Sequence, residues 1–508
     1  MVYVILRPQG EIKHIVFEEI MTGGQSNSGS TLKRGNLPLG LILFQAFGMA
    51  APAAGVGIFL TGTTGLVAGS TPMVVLIGWI IFSIGLNANY QLSKKYVSAG
   101  GYYSYIGSGF NKGVGLFAGG LYGVATLLNV GIFGFMQTTV FIYLLLPQIS
   151  SIPYAWVFIM LVIAAFMIGI TYWGIKPNLR YMMITGVVEV AIILIGGISL
   201  IILAGHANTL QVFTPTYALA AHKSTSTIFL AIVLAAEIMT GSGSVIALSE
   251  ESRSPTDHIR KALRIIVFLV GIPIIVLSYA LVVSWGPNAM STFTSSPDPG
   301  VILFLDHLGL VAAIIFAAVV VNSSLSAGLS NYNAATRTIY GMSREKLFPP
   351  YFSYVSPKSR TPSRLVVFTG IVGIVLSLLM MTVFGVYNGF FVAAIVTTVP
   401  MFIAHVLINV TVPVDSVKSR ERRSAGIIFY KFVLPVIAAF LFATIIILSL
   451  SPPYPPMPFF AGIVGVFVLI ALVFIWTVYM RVRRPELLKG APLNFSEIPA
   501  PTSGGSEE

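Results

Sequence analysis

Cysteine is missing from the sequence, and charged residues are few. The absence of cysteine among 508 residues excludes disulfides, thiol nucleophiles and cysteine metal sites. Only 9% of the residues are charged, against about 25% in an average soluble domain. Because 56% of the chain is hydrophobic, lipid replaces water along much of its surface, and we interpret the chain as an integral membrane protein.

Recognisable catalytic and nucleotide-binding motifs are missing as well. The glycine-rich stretch "SAGGYYSYIGSG" lacks the lysine and the preceding strand of a phosphate-binding loop. The sequence has no HExxH pair, no serine nucleophile elbow and no carboxylate cluster suited to two metals. We therefore predict no enzymatic activity, no cofactor and no bound metal, and we do not expect an ATP-driven pump from this chain alone.

Twelve apolar stretches are long enough to cross a membrane, since a spanning helix needs roughly 20 residues. Those of the first half lie at about 38–68, 72–92, 115–146, 153–174, 181–204 and 225–248. Those of the second half lie at about 263–285, 309–341, 365–385, 388–412, 427–450 and 459–480. The sequence thus predicts an all-α membrane protein.

The basic residues orient these spans. All of the 29 lysine and arginine residues except Lys223 fall on one side of the predicted arrangement. Basic loops face the cytoplasm, so an even number of spans places both termini there. We expect a multi-pass protein of a prokaryotic cytoplasmic membrane. The net charge of +12 is then explained by loop orientation, and no nucleic-acid partner is expected.

Two of the spans are interrupted near mid-depth. Span 1 contains "GMAAPAAGVG" at residues 48–57, where Pro52 removes a helical hydrogen bond. Span 6 contains "TGSGS" at residues 240–244. Each break alone is typical of a kink or a close-packing site, but paired breaks five spans apart indicate a secondary transporter with inverted repeats. Freed N–H groups and carbonyls at such breaks suit the carboxylate and the ammonium of an amino acid.

Three motifs give a resemblance to a known family. They are "SAGGYYSYIGSGFNKGVGLFAG", "ALSEESRSPTDHIRKA" and "LSNYNAATRTIYGMSREKLFPPYFSYVSPKSRTPS". Together they resemble the amino acid–polyamine–organocation superfamily over roughly residues 38–412. The resemblance implies a leucine-transporter-type fold with a five-plus-five inverted repeat and broken helices 1 and 6. It also implies transport of amino acids or related amines by alternating access.

The resemblance places substrate binding on the two breaks. The residues that it implies are Gly48, Met49, Ala50, Ala51, Pro52 and Gly55 in span 1, and Thr240, Gly241, Ser242 and Gly243 in span 6. Many family members carry an aromatic residue and a glutamate at the second break, whereas this chain has "MTGSGS". We therefore expect a wider side-chain pocket, and this run does not supply the usual aromatic gate.

Two acidic residues within the spans are candidates for coupling. Glu189 lies nine residues beyond Arg180 in span 5, which is about 14 Å of helix and near the midplane. Such a carboxyl group could couple proton entry to transport, or it could stay protonated as a structural group. Glu237 immediately precedes the second break and could bind a basic substrate, bind a proton or hold the unwound backbone.

A cation site is a further possibility in span 8, which carries Ser323 and Ser324 at mid-depth. Hard oxygen ligands suit Na⁺, but serines in helices commonly bond to their own backbone. We expect H⁺ rather than Na⁺ as the coupling ion. At the cytoplasmic edge, Glu250 and Glu251 suit a gate or an ion pair with basic loops.

The sequence divides into four regions. Residues 1–36 form a cytoplasmic N-terminal segment, 37–412 the ten-helix inverted-repeat core, 413–484 two additional helices, and 485–508 a disordered cytoplasmic tail. The favoured function is a secondary amino acid transporter working by proton symport. An amino acid or polyamine exchanger without proton coupling, a non-transporting membrane sensor and a channel are the alternatives.

Overall fold

The computed structural model describes residues 31–495 except 238, 240, 297, 423 and 453–456. It describes the backbone, but not the side chains, of residues 58, 59, 226, 233, 237 and 242. Among these described residues the long elements are all helical. The one β-type pairing between them is an isolated bridge from Leu37 to Ser252. The predicted all-α class is confirmed.

Twelve helices follow the order of the predicted spans, and the first has two halves. They are α1a (Leu39–Ala50), α1b (Pro52–Val67), α2 (Thr71–Leu92), α3 (Lys112–Leu145), α4 (Ala155–Trp173), α5 (Ile175–Ala204), α6 (Thr225–Glu237), α7 (Pro255–Trp285), α8 (Leu310–Arg344), α9 (Ser363–Phe384), α10 (Val386–Lys418), α11 (Ala425–Ser449) and α12 (Phe459–Arg483).

Length and composition allow 11 stretches of the described residues to cross a membrane. They account for every predicted span except span 6, because the regular part of that span, α6, is only 13 residues long. Within Leu39–Gly57, 83% of the most apolar window is buried, against 28% in α4, α5, α11 and α12. The broken first helix therefore lies at the centre of the bundle, where protein groups can satisfy its free backbone.

The break in α1 falls between Ala50 and Pro52. Ala51 has a left-handed conformation with φ 44°, and its N–H still donates to the carbonyl of Phe47. Pro52 then starts α1b, at a position where a missing N–H costs nothing. Proline thus permits a new helix to begin at mid-bundle rather than only bending an existing one.

The break in α6 is longer. The α-helix ends at Glu237, and a 3-10 segment runs over Ser242–Glu251. Gly241 precedes this segment with φ 101°, a conformation that L side chains rarely adopt. Serine and glycine in "TGSGS" favour such a non-α path, because serine side chains compete with the helical backbone and glycine carries no Cβ.

Basic side chains concentrate at the end of the bundle where α1a begins and α2, α8 and α10 end. We call this end the basic face; it carries Arg34, Lys95, Arg344 and Lys418. The ion pairs Lys95–Asp415 and Lys112–Glu345 lie there, at 2.8 and 2.6 Å.

The C-terminal segment differs from its prediction. Disorder was expected from Pro485 onward, yet Pro485–Leu488 forms a 3-10 turn and Pro492 is buried. Backbone hydrogen bonds and arginine side chains on the basic face hold residues up to 495 in place, and composition alone does not reveal such partners. Residues 496–508 and the predicted N-terminal segment up to residue 30 lie outside the described part.

Candidate functional site

The two breaks lie against each other. A Cβ atom built on Gly241 would lie 2.5 Å from Met49 Cγ, so the second break can approach the first only because residue 241 is glycine. A Cβ on Gly48 would lie 2.6 Å from Ser330 Oγ in α8. The predicted juxtaposition of "GMAAPAAGVG" and "TGSGS" is therefore present, although the binding of substrate there stays a prediction.

Glu189 in α5 is bound directly to the first break. Its Oε1 accepts a hydrogen bond of 2.9 Å from the N–H of Ala53, in the first turn of α1b. The same oxygen accepts one of 2.7 Å from the hydroxyl of Ser323 in α8. Glu189 is 1% exposed, and its Oε2 has no hydrogen-bond partner among the described residues. One carboxyl group thus joins α5, α1b and α8.

The location of this carboxyl group follows from helix electrostatics. The first turn of a helix has free N–H groups and the positive end of the helix dipole, so it favours an anion or a hydrogen-bond acceptor. Pro52 has no N–H, and the N–H of Gly55 donates to Ala51. Ala53 is therefore the first residue of α1b that has an N–H group, and Glu189 accepts a hydrogen bond from it.

The two candidate serines of α8 differ in their contacts. Ser323 donates to Glu189, whereas the hydroxyl of Ser324 lies 3.4 Å from the carbonyl of Val320 in its own helix. Both residues are fully buried. Among the described residues, no group of three or more histidine or acidic side chains is placed to hold a metal ion. The sodium site stays a prediction, and only Ser323 touches the α1 break region through Glu189.

The amide of Gln45 connects the broken helices to α8. Its Nε2 donates to the carbonyl of Ser330 at 2.9 Å and lies 3.4 Å from the hydroxyl of Ser244. Its Oε1 accepts from Asn333 at 2.9 Å. Gln45 was not among the predicted site residues, although a lone amide within the apolar run "LILFQAF" is a signal for it.

A second polar cluster lies beside the α6 break. A Cβ on Gly243 would lie 2.5 Å from Asn89 Nδ2 and 2.7 Å from the hydroxyl of Tyr102. That hydroxyl accepts from Asn89 at 3.3 Å and lies 3.4 Å from His405 Nδ1 in α10. All three side chains are buried. Asn89 and Tyr102 therefore contact a predicted site residue, and neither was singled out from the sequence.

Two buried ion pairs connect the segment after the α6 break to α8. Glu251 pairs with Arg337 at 3.0 Å, and these side chains are 1% and 0% exposed. Glu250 pairs with Arg344 at 2.6 Å and also accepts the N–H of Ala99. These contacts join the segment after α6 to α8. The two glutamates thus form ion pairs, as one of the predicted alternatives stated, but their partners are arginines of α8 and not of the loops.

Some predicted site residues have only partial descriptions. Thr240 lies outside the described residues, and the side chains of Ser242 and Glu237 are likewise not described. The backbone of Glu237 ends α6. Gly55 is buried within α1b, one turn beyond the break. The predicted site therefore consists, in its described part, mainly of backbone from α1 and of small side chains.

Comparison with known proteins agrees with this architecture. A family model described as amino acid permease matches residues 42–489. The low-affinity putrescine importers PlaP of Escherichia coli strain K12 and of Escherichia coli O157:H7 are each 24% identical to the chain over 324 residues, which is 61% of this chain and 68% of each relative.

A solved structure shares the fold. The crystal structure of MhsT in complex with L-phenylalanine aligns with a TM-score of 0.57 at 17% identity, and it covers 82% of this chain and 100% of that chain. This likeness confirms the leucine-transporter-type fold. Because the permease model spans most of the sequence, the chain belongs to the amino acid permease family of the amino acid–polyamine–organocation superfamily and is a membrane transporter of that type.

Proposed function

We propose that the chain is a secondary active transporter that imports amino acids by alternating access, in symport with protons. The observation that supports this most directly is the position of Glu189, which accepts hydrogen bonds from Ala53 in α1b and Ser323 in α8 at once. An ionisable group that joins a broken helix to two other helices is placed to make their packing depend on its protonation.

The binding chemistry follows from the breaks. A substrate carboxylate favours the free N–H groups and positive dipole end at the start of α1b, and an ammonium favours the carbonyls at the end of α1a. Glu189 already accepts the N–H of Ala53. Two carboxylates at one helix end repel each other, so substrate binds there more favourably when Glu189 carries a proton. Uptake of substrate and proton are then linked, as symport requires.

The first experiment identifies a ligand and then tests the coupling. A thermal-shift screen of the purified protein against the twenty amino acids and common polyamines selects the ligand that raises the melting temperature. With that ligand in proteoliposomes, an inward proton gradient should drive accumulation by the wild type. Glu189→Gln keeps an acceptor for Ala53 but has no titratable proton, so it should retain counterflow exchange and lose gradient-driven uptake.

Two neighbouring serines provide matched variants. Ser323→Ala removes a hydrogen bond to Glu189, whereas Ser324→Ala removes a contact within α8. We expect only Ser323→Ala to shift the pH at which uptake is half-maximal. Gradient-driven uptake by Glu189→Gln equal to that of the wild type would contradict the role of Glu189. Dependence on Na⁺ in the wild type would instead support the cation-site alternative.

Exchange of amines is the second candidate function. The Oε2 atom of Glu189 is buried without a partner among the described residues, and a carboxylate oxygen of this kind accepts hydrogen bonds from an ammonium group. The PlaP relatives are putrescine importers by name. If putrescine but no amino acid raises the melting temperature, and Glu189→Gln abolishes that effect, amine transport is favoured. Ligand binding without any flux would indicate a sensor.

The basic face is proposed to be cytoplasmic, in a prokaryotic cytoplasmic membrane. It carries Arg34, Lys95, Arg344 and Lys418, and basic loops are retained on the cytoplasmic side during insertion. Both ends of the described chain, Thr31 and Phe495, lie on loops at this face.

A further inference from the structure

The segment Gly490–Phe495 lies across the basic face and forms specific contacts there. Asn494 Oδ1 accepts the N–H of Val97 at 2.9 Å, and its Nδ2 donates to the carbonyl of Lys95 at 3.3 Å. The N–H of Phe495 donates to the carbonyl of Val97 at 2.8 Å. One backbone and two side-chain hydrogen bonds thus attach the segment to the loop between α2 and α3.

The ring of Phe495 connects two helix ends. The guanidinium of Arg34, five residues before α1a, lies 4.4 Å from the ring centroid, and that of Arg344 at the end of α8 lies 5.0 Å away. Cations at this distance from an aromatic ring are attracted to it. Arg344 also binds Glu250 in the segment after α6. Phe495 therefore contacts both a residue upstream of α1a and a residue of the Glu250–Arg344 ion pair.

Other contacts fix the segment along its length. The N–H of Leu493 donates to Glu345 at 3.0 Å, and Glu345 in turn pairs with Lys112 at the start of α3. Pro492 packs so closely on Gly107 that a Cβ there would lie 2.7 Å from Pro492 Cγ. Leu487 and Leu488 pack against the buried hydrophobic cluster that contains Leu32, upstream of α1a. Residues 32–34, which precede α1a, thus lie beside residues near the C-terminal end of the described chain.

We propose that residues 490–495 are an intramolecular ligand of the basic face, and that their binding holds the path from the breaks to this face closed. Opening such a path requires α1a to separate from α8, because Gly48 of α1a packs closely against Ser330 of α8. The bound segment opposes this separation, since the ring of Phe495 links Arg34, upstream of α1a, to Arg344 at the end of α8. Release of the segment shifts the population toward the open form.

This inference rests on the proposed alternating access, but its test requires neither substrate nor transport. The chain has no cysteine, so one introduced cysteine can report accessibility. Ser330→Cys places a thiol at a fully buried position of α8 against Gly48. Its rate of reaction with a water-soluble maleimide is measured in purified protein, first with the native C-terminal segment and then with Phe495→Ala, Asn494→Ala or a chain ending at Lys489.

We expect the three changes to accelerate labelling at Ser330→Cys about fivefold or more, which corresponds to roughly 1 kcal/mol in the opening equilibrium. Phe495→Tyr keeps the ring and should label at the slow rate. Lys489→Ala alters an exposed side chain immediately before the segment and should also leave the rate unchanged. Lys358→Cys, exposed on the basic face, should react equally in every background.

Equal labelling rates in the native, Phe495→Ala and Asn494→Ala proteins would overturn the proposal. Melting curves of each variant separate opening from unfolding. If release of the segment opens the path, Phe495→Ala labels faster than Phe495→Tyr without a matching difference in melting temperature. If labelling accelerates while proteoliposomes show no flux of any ligand, the proposed role of residues 490–495 is supported and the transport proposal fails.

Discussion

Gly241 and Met49 are in direct contact, and a Cβ atom on Gly241 would lie 2.5 Å from Met49 Cγ. Any side chain at position 241 therefore meets α1, and φ 101° at this residue adds backbone strain. This contact between the two breaks is the geometric basis for placing substrate binding at their junction.

Gly241→Leu should abolish ligand binding while the protein stays folded. The added side chain occupies the space beside Met49 and forces the breaks apart, so the ligand that raises the melting temperature of the wild type should no longer do so. Gly169→Leu in α4 is the matched control, because a Cβ there meets no atom within 4 Å. Normal ligand-induced stabilisation of Gly241→Leu would contradict the placement of the substrate site at the two breaks.

Single changes at the buried pair Glu251–Arg337 should destabilise the protein more than the double change. Removing one partner leaves a charge that is 0–1% exposed, and such losses amount to about 3–5 kcal/mol. Glu251→Gln and Arg337→Met should each lower the melting temperature, and combining them should restore part of it. At the exposed pair Asp257–Lys261, Lys261→Met should change the melting temperature little. Additive losses at Glu251 and Arg337 would contradict their coupling.

Asp298 should make stability depend on pH between about 4 and 6. This residue caps the helix Pro299–Leu308 by accepting the N–H of Val301. Burial raises the pKa of Asp298 from 3.8 to about 6, although the hydrogen bond from Val301 opposes the shift. The folded protein therefore favours the protonated acid, and the resulting stabilisation is complete below pH 3.8 and is lost as the pH rises to 6.

Asp298→Asn tests this linkage, because asparagine keeps the capping oxygen and never ionises. The melting temperature of the wild type should fall relative to that of Asp298→Asn as the pH increases from 4 to 6, and the difference should become constant above 6. A difference that does not vary with pH would show that Asp298 titrates as it does in an unfolded chain.

Opposite ends of the bundle should label from opposite sides of the cell membrane. Ser150 is exposed between α3 and α4, and Lys358 is exposed on the basic face. In intact cells, a membrane-impermeant maleimide should react with Ser150→Cys and not with Lys358→Cys, and lysis should expose the latter. Labelling of Lys358→Cys in intact cells would reverse the proposed orientation.

The breaks were predictable because their causes are local. Pro52 cannot donate a backbone hydrogen bond, and glycine at positions 48 and 241 leaves room that no other residue does. Paired breaks five spans apart were enough to indicate the transporter class. All the predicted spans except span 6 have counterparts among the 11 candidate membrane helices of the described residues, since apolar length follows directly from the requirements of a bilayer.

Partners across the bundle were not predictable from one sequence. The contact of Glu189 with Ala53 and Ser323 depends on the rotation of α5 relative to α1b and α8, which no spacing within one helix determines. The binding of Asn494 to Val97 joins residues almost 400 positions apart. Composition indicated disorder there because it describes only the segment and not the surface that binds it.

The left-handed conformation of Ala51 affects how long the described arrangement lasts. An L-residue in the left-handed region lies about 1–2 kcal/mol above its relaxed conformations, and Ala51 is held there at φ 44° by its surroundings. Any rearrangement that lets this one peptide unit return to a helical or extended shape recovers that free energy. The described arrangement is therefore easier to leave than its dense packing suggests, and exchanging Ala51 for glycine would lengthen its lifetime.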